Sequence, residues 1–112
     1  MLEEDHPAGA WTLHRRRDGR VLAHLVPTGG DFPWLNARVE PADGLAEVRP
    51  LFAEDLRHLD RVDEDAESWE TAYEAIRQAV TLRDPEGREV PEFLLHIDDV
   101  EAWWRWSDEP FG

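Results

Sequence analysis

Apolar and polar residues alternate most clearly near the end of the chain, from Glu92 to Trp106. The pattern predicts two antiparallel strands joined by a tight turn at Asp98-Asp99. A two-residue loop there places apolar pairs on one face: Ile97 with Val100, Leu95 with Ala102, and Phe93 with Trp104. The other face pairs His96 with Glu101, Leu94 with Trp103, and Glu92 with Arg105. The hairpin is therefore expected to have one buried face and one mixed face with a Trp, a His and an ion pair.

Three further strands are predicted before the centre of the chain. A hairpin is expected over residues 11–27, with a three-residue loop that ends on a left-handed Gly19. This register puts five apolar residues on one face: Trp11, Leu13, Val21, Ala23 and Leu25. The opposite face then holds Thr12, His14, Arg16, Arg20, Leu22 and His24. Pro27 is expected to end the strand, residues 28–34 to form a loop, and residues 35–40 to form the third strand by their alternation.

Two helices are predicted in the middle of the chain. The first opens near Asp43-Gly44, and its apolar stripe is Leu45, Val48, Phe52, Leu56, Leu59 and Val62. Pro50 would damage a helix interior, so the regular helix should begin only a few residues before it. Ser68 is the expected N-cap of the second helix. A strand over residues 80–83 and a turn over residues 84–87 lead into the last hairpin.

The element order β-β-β-α-α-β-β-β predicts an α+β fold, with a mainly antiparallel sheet of about six strands and both helices packed on one face. We expect residues 1–10 to be a flexible N-terminus, residues 11–106 a single domain, and residues 107–112 a C-terminal tail. The predicted core is Trp11, Leu13, Val39, Phe52, Leu56, Trp69, Ile76, Leu95, Ile97 and Trp104. The second sheet face should stay open to solvent.

Composition narrows the classes of function. The 112 residues carry a formal net charge of −14 and contain no cysteine. Such a charge opposes binding to nucleic acid and to anionic membranes, and it favours a basic partner. No apolar stretch is long enough to span a bilayer, and the acidic start does not resemble a signal peptide. We therefore expect a cytoplasmic protein.

The sequence offers few residues suited to nucleophilic catalysis or to a metal site. Ser68 and Ser107 are the only serines, and neither has an assured base, so a Ser-His arrangement is not expected. His14 and His24 lie diagonally across the first hairpin, but a convincing zinc site needs a third protein ligand. No metal site and no cofactor is predicted. The many acids between Glu40 and Glu74 suit either a solvated helical surface or a docking surface for a basic partner.

The open sheet face is the predicted binding surface. Its candidate binding residues are His14, His24, Arg38, His96, Trp103 and Arg105. Trp, Arg and His are common in binding hot spots, although Leu94 and Trp103 could also simply cover each other. The leading hypothesis is a non-enzymatic protein-interaction module, regulatory or immunity-like, that acts through this face or through the acidic helices. The alternative is a small-molecule-binding domain or an enzyme that uses the His and Arg residues of the same face.

Four short motifs carry a resemblance to a known group of proteins. They are FPW at 32–34, VRPLF at 48–52, LLHID at 94–98 and AWWRW at 102–106. Together they resemble a family of small acidic bacterial hypothetical proteins with no assigned activity. The resemblance covers most of residues 11–106 and implies a complete small domain, but it implies no site and no substrate.

Overall fold

The computed structural model describes residues 9–31 and 33–107. The elements in chain order are β1 (Trp11–Arg15), β2 (Val21–Asp31), β3 (Trp34–Pro41), α1 (Leu45–Leu59), α2 (Ala66–Ala79), β4 (Val80–Arg83), β5 (Glu92–Asp98) and β6 (Glu101–Ser107). All six strands belong to one antiparallel sheet, in the order β4-β1-β2-β3-β6-β5. The predicted α+β fold and its element order are confirmed. The expected flexible N-terminus lies mostly outside the described residues, and so does the expected tail apart from Ser107, which ends β6.

The sheet curls until it is nearly barrel-shaped. One apolar cluster joins the inward-facing side chains of the strands to the apolar stripes of both helices. Eight of the ten predicted core residues are buried: Trp11, Leu13, Val39, Phe52, Ile76, Leu95, Ile97 and Trp104. Leu56 and Trp69 are only partly buried. The core therefore lies between the concave inner face of the sheet and the two helices, and the convex outer face corresponds to the predicted open face.

The register of the last hairpin differs from the prediction by two residues. Leu95 lies opposite Trp104 and Phe93 opposite Trp106, so the predicted pairing of Phe93 with Trp104 is wrong. The loop is Asp99-Val100 rather than Asp98-Asp99, and Asp99 adopts a φ of 58°. Asp tolerates this left-handed conformation better than most residues, so it suits the first loop position. Because the shift is an even number of residues, the side chains that remain paired keep their predicted faces. Val100, predicted to face the core opposite Ile97, lies in the loop instead and is 50% exposed.

The first hairpin confirms the predicted left-handed Gly19, which has a φ of 76°. The pairing of Leu13 with Ala23 is also confirmed. After this pair a β-bulge shifts the register, so that His14 lies opposite Val21. The extra residue, Leu22, is fully buried, whereas Val21 is partly exposed. The prediction placed Val21 on the buried face and Leu22 on the open face, which is wrong for both residues. A bulge reverses the alternation and leaves no mark in the apolar pattern.

The segment predicted as a loop after Pro27 is mostly strand. β2 continues to Asp31 and β3 begins at Trp34. A second bulge between Pro27 and Gly29 accommodates the proline, which cannot donate to the ladder. Gly30 is required by close packing, since a Cβ there would lie 2.3 Å from the carbonyl oxygen of Trp34. The prediction of a loop is therefore wrong for this segment, in which Gly30 permits the close approach of β2 and β3.

Nearby residues in the sequence explain where the two helices begin. α1 begins at Leu45, five residues before Pro50, as expected. The predicted N-cap of α2 is wrong, because the helix begins at Ala66 and Asp65 caps it. The Asp65 carboxylate accepts a hydrogen bond from the backbone N–H of Ser68 at 3.1 Å and another from its hydroxyl at 2.6 Å. Both residues belong to the cap, but the carboxylate is the acceptor.

Both edge strands of the sheet, β5 and β4, make hydrogen bonds to groups outside the strand ladder. Along β5, the Tyr73 hydroxyl donates to the carbonyl of Phe93 and accepts from the N–H of Leu95, each at 2.8 Å. Along β4, the N–H of Val90 donates to the carbonyl of Leu82 at 2.8 Å. Uncovered edges would invite pairing with another strand. Addition of a further strand at these positions would therefore have to displace these hydrogen bonds.

Within the described ranges, no helix is long and apolar enough to cross a membrane.

Replacing Trp104 by alanine tests the core. The side chain has no exposed surface, so the substitution should lower the free energy of unfolding by about 3 to 5 kcal/mol. A domain of this size has only about 5 to 15 kcal/mol in total. Trp106→Ala is the matched control, because Trp106 faces the same side of β6 but is 38% exposed. Equal losses for the two variants in urea denaturation would contradict this description of the core.

Candidate functional site

A groove of about 620 Å³ crosses the outer face of the sheet at β3 and β6. Ala37 and Val39 of β3 point into the core, so alternation directs Asn36 and Arg38 outward. Asn36 lies opposite Trp103, and Arg38 lies opposite Glu101. The residues that line the groove are Thr28, Asn36, Ala37, Arg38, Val100, Glu101, Ala102 and Trp103. This set, with the bulge of β2 at one side and the β5–β6 turn at the other, is called the groove below.

The charges of the groove are unequally compensated. Arg38 donates from Nη2 to Oε2 of Glu40 at 2.8 Å, on its own strand. Among the residues that the structure describes, the exposed carboxylate of Glu101 makes no side-chain hydrogen bond or ion pair. The same holds for the Asn36 side-chain amide. The groove therefore offers a free carboxylate and a free amide, while its arginine is already paired.

Trp103 forms an aromatic wall of the groove and is partly exposed. On β5, the residue opposite it is His96. The two ring centroids are 5.5 Å apart, and Trp34 stacks on His96 from a centroid distance of 6.0 Å. The indole is thus supported from behind by His96, which restricts its rotamers and holds it ready for contact.

Behind this wall lies a buried polar cluster. His96 is 3% exposed and Asp55 is fully buried. Nδ1 of His96 is 2.6 Å from Oδ2 of Asp55. The indole N–H of Trp69 donates to the other carboxylate oxygen at 2.7 Å. Asp55 belongs to α1, Trp69 to α2 and His96 to β5, so one carboxylate joins both helices to the sheet.

Tyr73 continues this cluster along the edge of β5. Its hydroxyl bonds Phe93 and Leu95, and its ring stacks on Trp69 at a centroid distance of 5.5 Å. Burial raises the pKa of the phenol well above its ordinary value. The phenol therefore stays neutral and acts as a hydrogen-bond clamp rather than as a base.

The cluster does not assemble a nucleophilic device. A buried Asp-His pair resembles two members of a catalytic triad, but a triad also needs a nucleophile bonded to the histidine. The hydroxyl of Ser68 is bonded to Asp65. Ser107 lies opposite Glu92 at the end of the hairpin away from the turn. The chain contains no cysteine, and Ser107 is paired four residues along the strand from the position of His96, so neither a cysteine nor a serine is placed beside this histidine.

Three of the six predicted binding residues come together at the groove. Arg38 and Trp103 line it, and His96 lies directly behind Trp103. The expectation that His96 is open to solvent is wrong, because Asp55 of α1 and the indole of Trp34 cover it. The covering helix residue lies far away in sequence, so strand alternation could not show it.

The other three predicted residues lie apart from the groove lining. His14 bonds the hydroxyl of Thr12 at 2.8 Å and the carbonyl of Gly19 at 3.0 Å, at the tip of the first hairpin. His24 lies on β2 opposite Glu40. Arg105 lies opposite Leu94, and the predicted partner of Arg105, Glu92, is instead bonded to Arg77 of α2 at 2.8 Å. Within the described residues, no group of three or more His, Cys, Asp or Glu is arranged to hold a metal ion.

Sequence reasoning missed Asp55 and assigned no binding role to Asn36 or Glu101. A signal for Asp55 exists, because it lies three residues after Phe52 and one before Leu56, within the apolar stripe of α1. An acid on a buried stripe indicates a buried polar partner. No comparable signal in the sequence marks Asn36 or Glu101. These two residues line one groove only because β3 pairs with β6.

Asp55→Ala should lower the free energy of unfolding by about 3 to 5 kcal/mol, since it leaves His96 and Trp69 buried without their acceptor. Asp55→Asn keeps one carbonyl acceptor and should lose clearly less. The control is Glu54→Ala, at the neighbouring exposed position on the same helix. Urea denaturation at neutral pH measures all three, and a loss for Asp55→Ala no larger than for Glu54→Ala would contradict the role given to this cluster.

Trp103→Ala should keep the fold and lose less stability than Trp104→Ala. Adjacent strand residues point to opposite faces, and Trp103 is partly exposed whereas Trp104 is fully buried. Thermal melts and ¹H–¹⁵N spectra of the two variants make the comparison. Unfolding by Trp103→Ala as severe as by Trp104→Ala would show that the groove wall is part of the core.

No protein-family model, curated protein or solved structure matches this chain significantly. The resemblance to a family of bacterial hypothetical proteins therefore stays a prediction, and the function must be argued from the groove and the residues behind it.

Proposed function

We propose that this protein is a non-enzymatic interaction module that binds a segment of a partner protein in the groove, with Trp103 as the anchor. The observation that carries the proposal is the groove itself, a concavity of about 620 Å³ on the outer face with a supported indole in its wall. Well-packed Trp residues at concave surfaces are typical binding hot spots.

The shape of the sheet favours side-chain recognition over strand addition. Tyr73 and Val90 occupy backbone groups at the two edges, so an incoming strand would have to displace them. On the outer face, by contrast, Val100 lines the groove and is 50% exposed. A large exposed apolar residue next to a partly exposed Trp provides contact area at little cost in ordering.

The groove is a better supported binding surface than the acidic helices. Glu54 is bonded to Arg57 and lies 3.4 Å from His58. Arg57 holds the pKa of Glu54 below its ordinary value. Part of the negative charge of the helices is thus compensated within α1. We propose that the acidic residues of the helices without a partner in the protein only interact with solvent. The proposal includes a cytoplasmic location and no nucleic-acid partner, the latter supported by the net charge of −14.

A small molecule is the second candidate occupant, and the size of the groove favours it. Small-molecule sites have volumes of roughly 300 to 1,000 Å³, and the groove has about 620 Å³. Catalysis on that molecule is not part of this candidate, because His96 is buried behind the wall rather than exposed in the groove. Native mass spectrometry of the purified protein would show such an occupant as a discrete added mass that Trp103→Ala removes.

Photo-cross-linking in the cells that make the protein tests the proposal. p-Benzoylphenylalanine in place of Asn36 should give a protein adduct of defined mass, because this position lies inside the groove. The same group in place of Glu70, on the exposed surface of α2, is the control position. The adduct from position 36 should disappear with Trp103→Ala and persist with Trp106→Ala. Identical adducts from both positions, or an adduct that survives Trp103→Ala, would refute the proposal.

A further inference from the structure

We infer that the groove recognises a basic segment, with an arginine or lysine side chain placed between the indole of Trp103 and the carboxylate of Glu101. The inference rests on the proposed function and specifies its partner chemistry. It depends on the charge left free in the groove and on the spacing of two residues of β6.

The free charge in the groove is negative. Arg38 and Glu40 compensate each other at 2.8 Å, which leaves the carboxylate of Glu101 without a side-chain partner among the described residues. Asp98 and Asp99 of the adjoining turn line a separate pocket beside α1, where Arg49 donates to the carbonyl of Asp99 at 3.0 Å. An anionic occupant of the groove would meet the carboxylate of Glu101, whereas a cationic one complements it.

The spacing along β6 suits a long cationic side chain. Glu101 and Trp103 are two residues apart, so both point to the outer face with a separation of about 7 Å along the strand. A guanidinium or ammonium can lie over the indole within about 6 Å of its centroid while it also reaches a carboxylate. The aliphatic stem of the same side chain can pack on exposed Val100.

Asn36 adds a polar contact from the facing strand. It lies opposite Trp103, and its amide oxygen can accept a hydrogen bond from a guanidinium or ammonium group. The net charge of −14 then acts at longer range, since it raises the encounter rate of basic segments and repels acidic ones. Local contacts and the overall field therefore select the same kind of partner.

Two peptides that differ only in charge provide the test. The probes are Ac-Ala-Arg-Ala-amide and the same peptide with citrulline, which keeps the shape of arginine but is neutral. The readout is the indole N–H resonance of Trp103 in ¹H–¹⁵N spectra of the full chain. The arginine peptide should bind about five-fold more tightly than the citrulline peptide, the combined effect of a cation–π contact and one ion pair.

Two variants with the same loss of charge separate local from long-range attraction. Glu101→Gln should remove the ion-pair part of this preference, so that the arginine peptide binds only about two-fold more tightly than the citrulline peptide, through the cation–π contact that remains. Glu86→Gln, at an exposed residue of the β4–β5 connection, should leave both affinities unchanged. The spectra also report whether each variant is folded.

Three results would contradict the inference. Equal affinity for the two peptides overturns the inference but leaves groove binding intact. Equal effects of Glu101→Gln and Glu86→Gln also overturn it, because the attraction is then that of the whole protein. The absence of any shift at Trp103 with either peptide overturns it too, whereas the proposed function is judged separately by the cross-link from position 36.

Discussion

The hydrogen bond between Asp55 and His96 is the interaction on which the arrangement of the other parts depends. At 2.6 Å, and with no exposed surface on Asp55, it joins α1 to the edge strand β5. Trp69 brings α2 to the same carboxylate. A buried carboxylate without such partners would be strongly destabilising. The observed packing of the two helices against β5 therefore supplies the buried carboxylate with both of its partners.

The same bond has a consequence on the other side of His96. The ring that contacts Asp55 also supports the indole of Trp103, so the position of the groove wall is set from inside the protein. A binding surface of this kind loses little side-chain freedom when a partner arrives, which is the physical advantage of preorganisation. The contact with Asp55 also explains why His96, on the outer side of the sheet, is almost completely buried.

Backbone groups at both edges of the sheet are bonded within the protein. The hydroxyl of Tyr73 satisfies one donor and one acceptor at the edge of β5, and Val90 covers β4. On the outer face, the groove combines an aromatic wall with the carboxylate of Glu101, which has no side-chain partner among the residues that the structure describes. The proposed recognition of a basic segment rests on this combination.

The sequence alone determined the element types, the sheet faces and most of the core, because these depend on local periodicity. Even the two-residue error at the β5–β6 turn left the position of Trp104 in the core unchanged, since an even shift conserves alternation. The bulge that buries Leu22 and the covering of His96 by Asp55 required the tertiary structure. Both depend on contacts between residues far apart in the chain. The position of the groove also required the tertiary structure, because the groove exists only where Asn36 of one strand faces Trp103 of another.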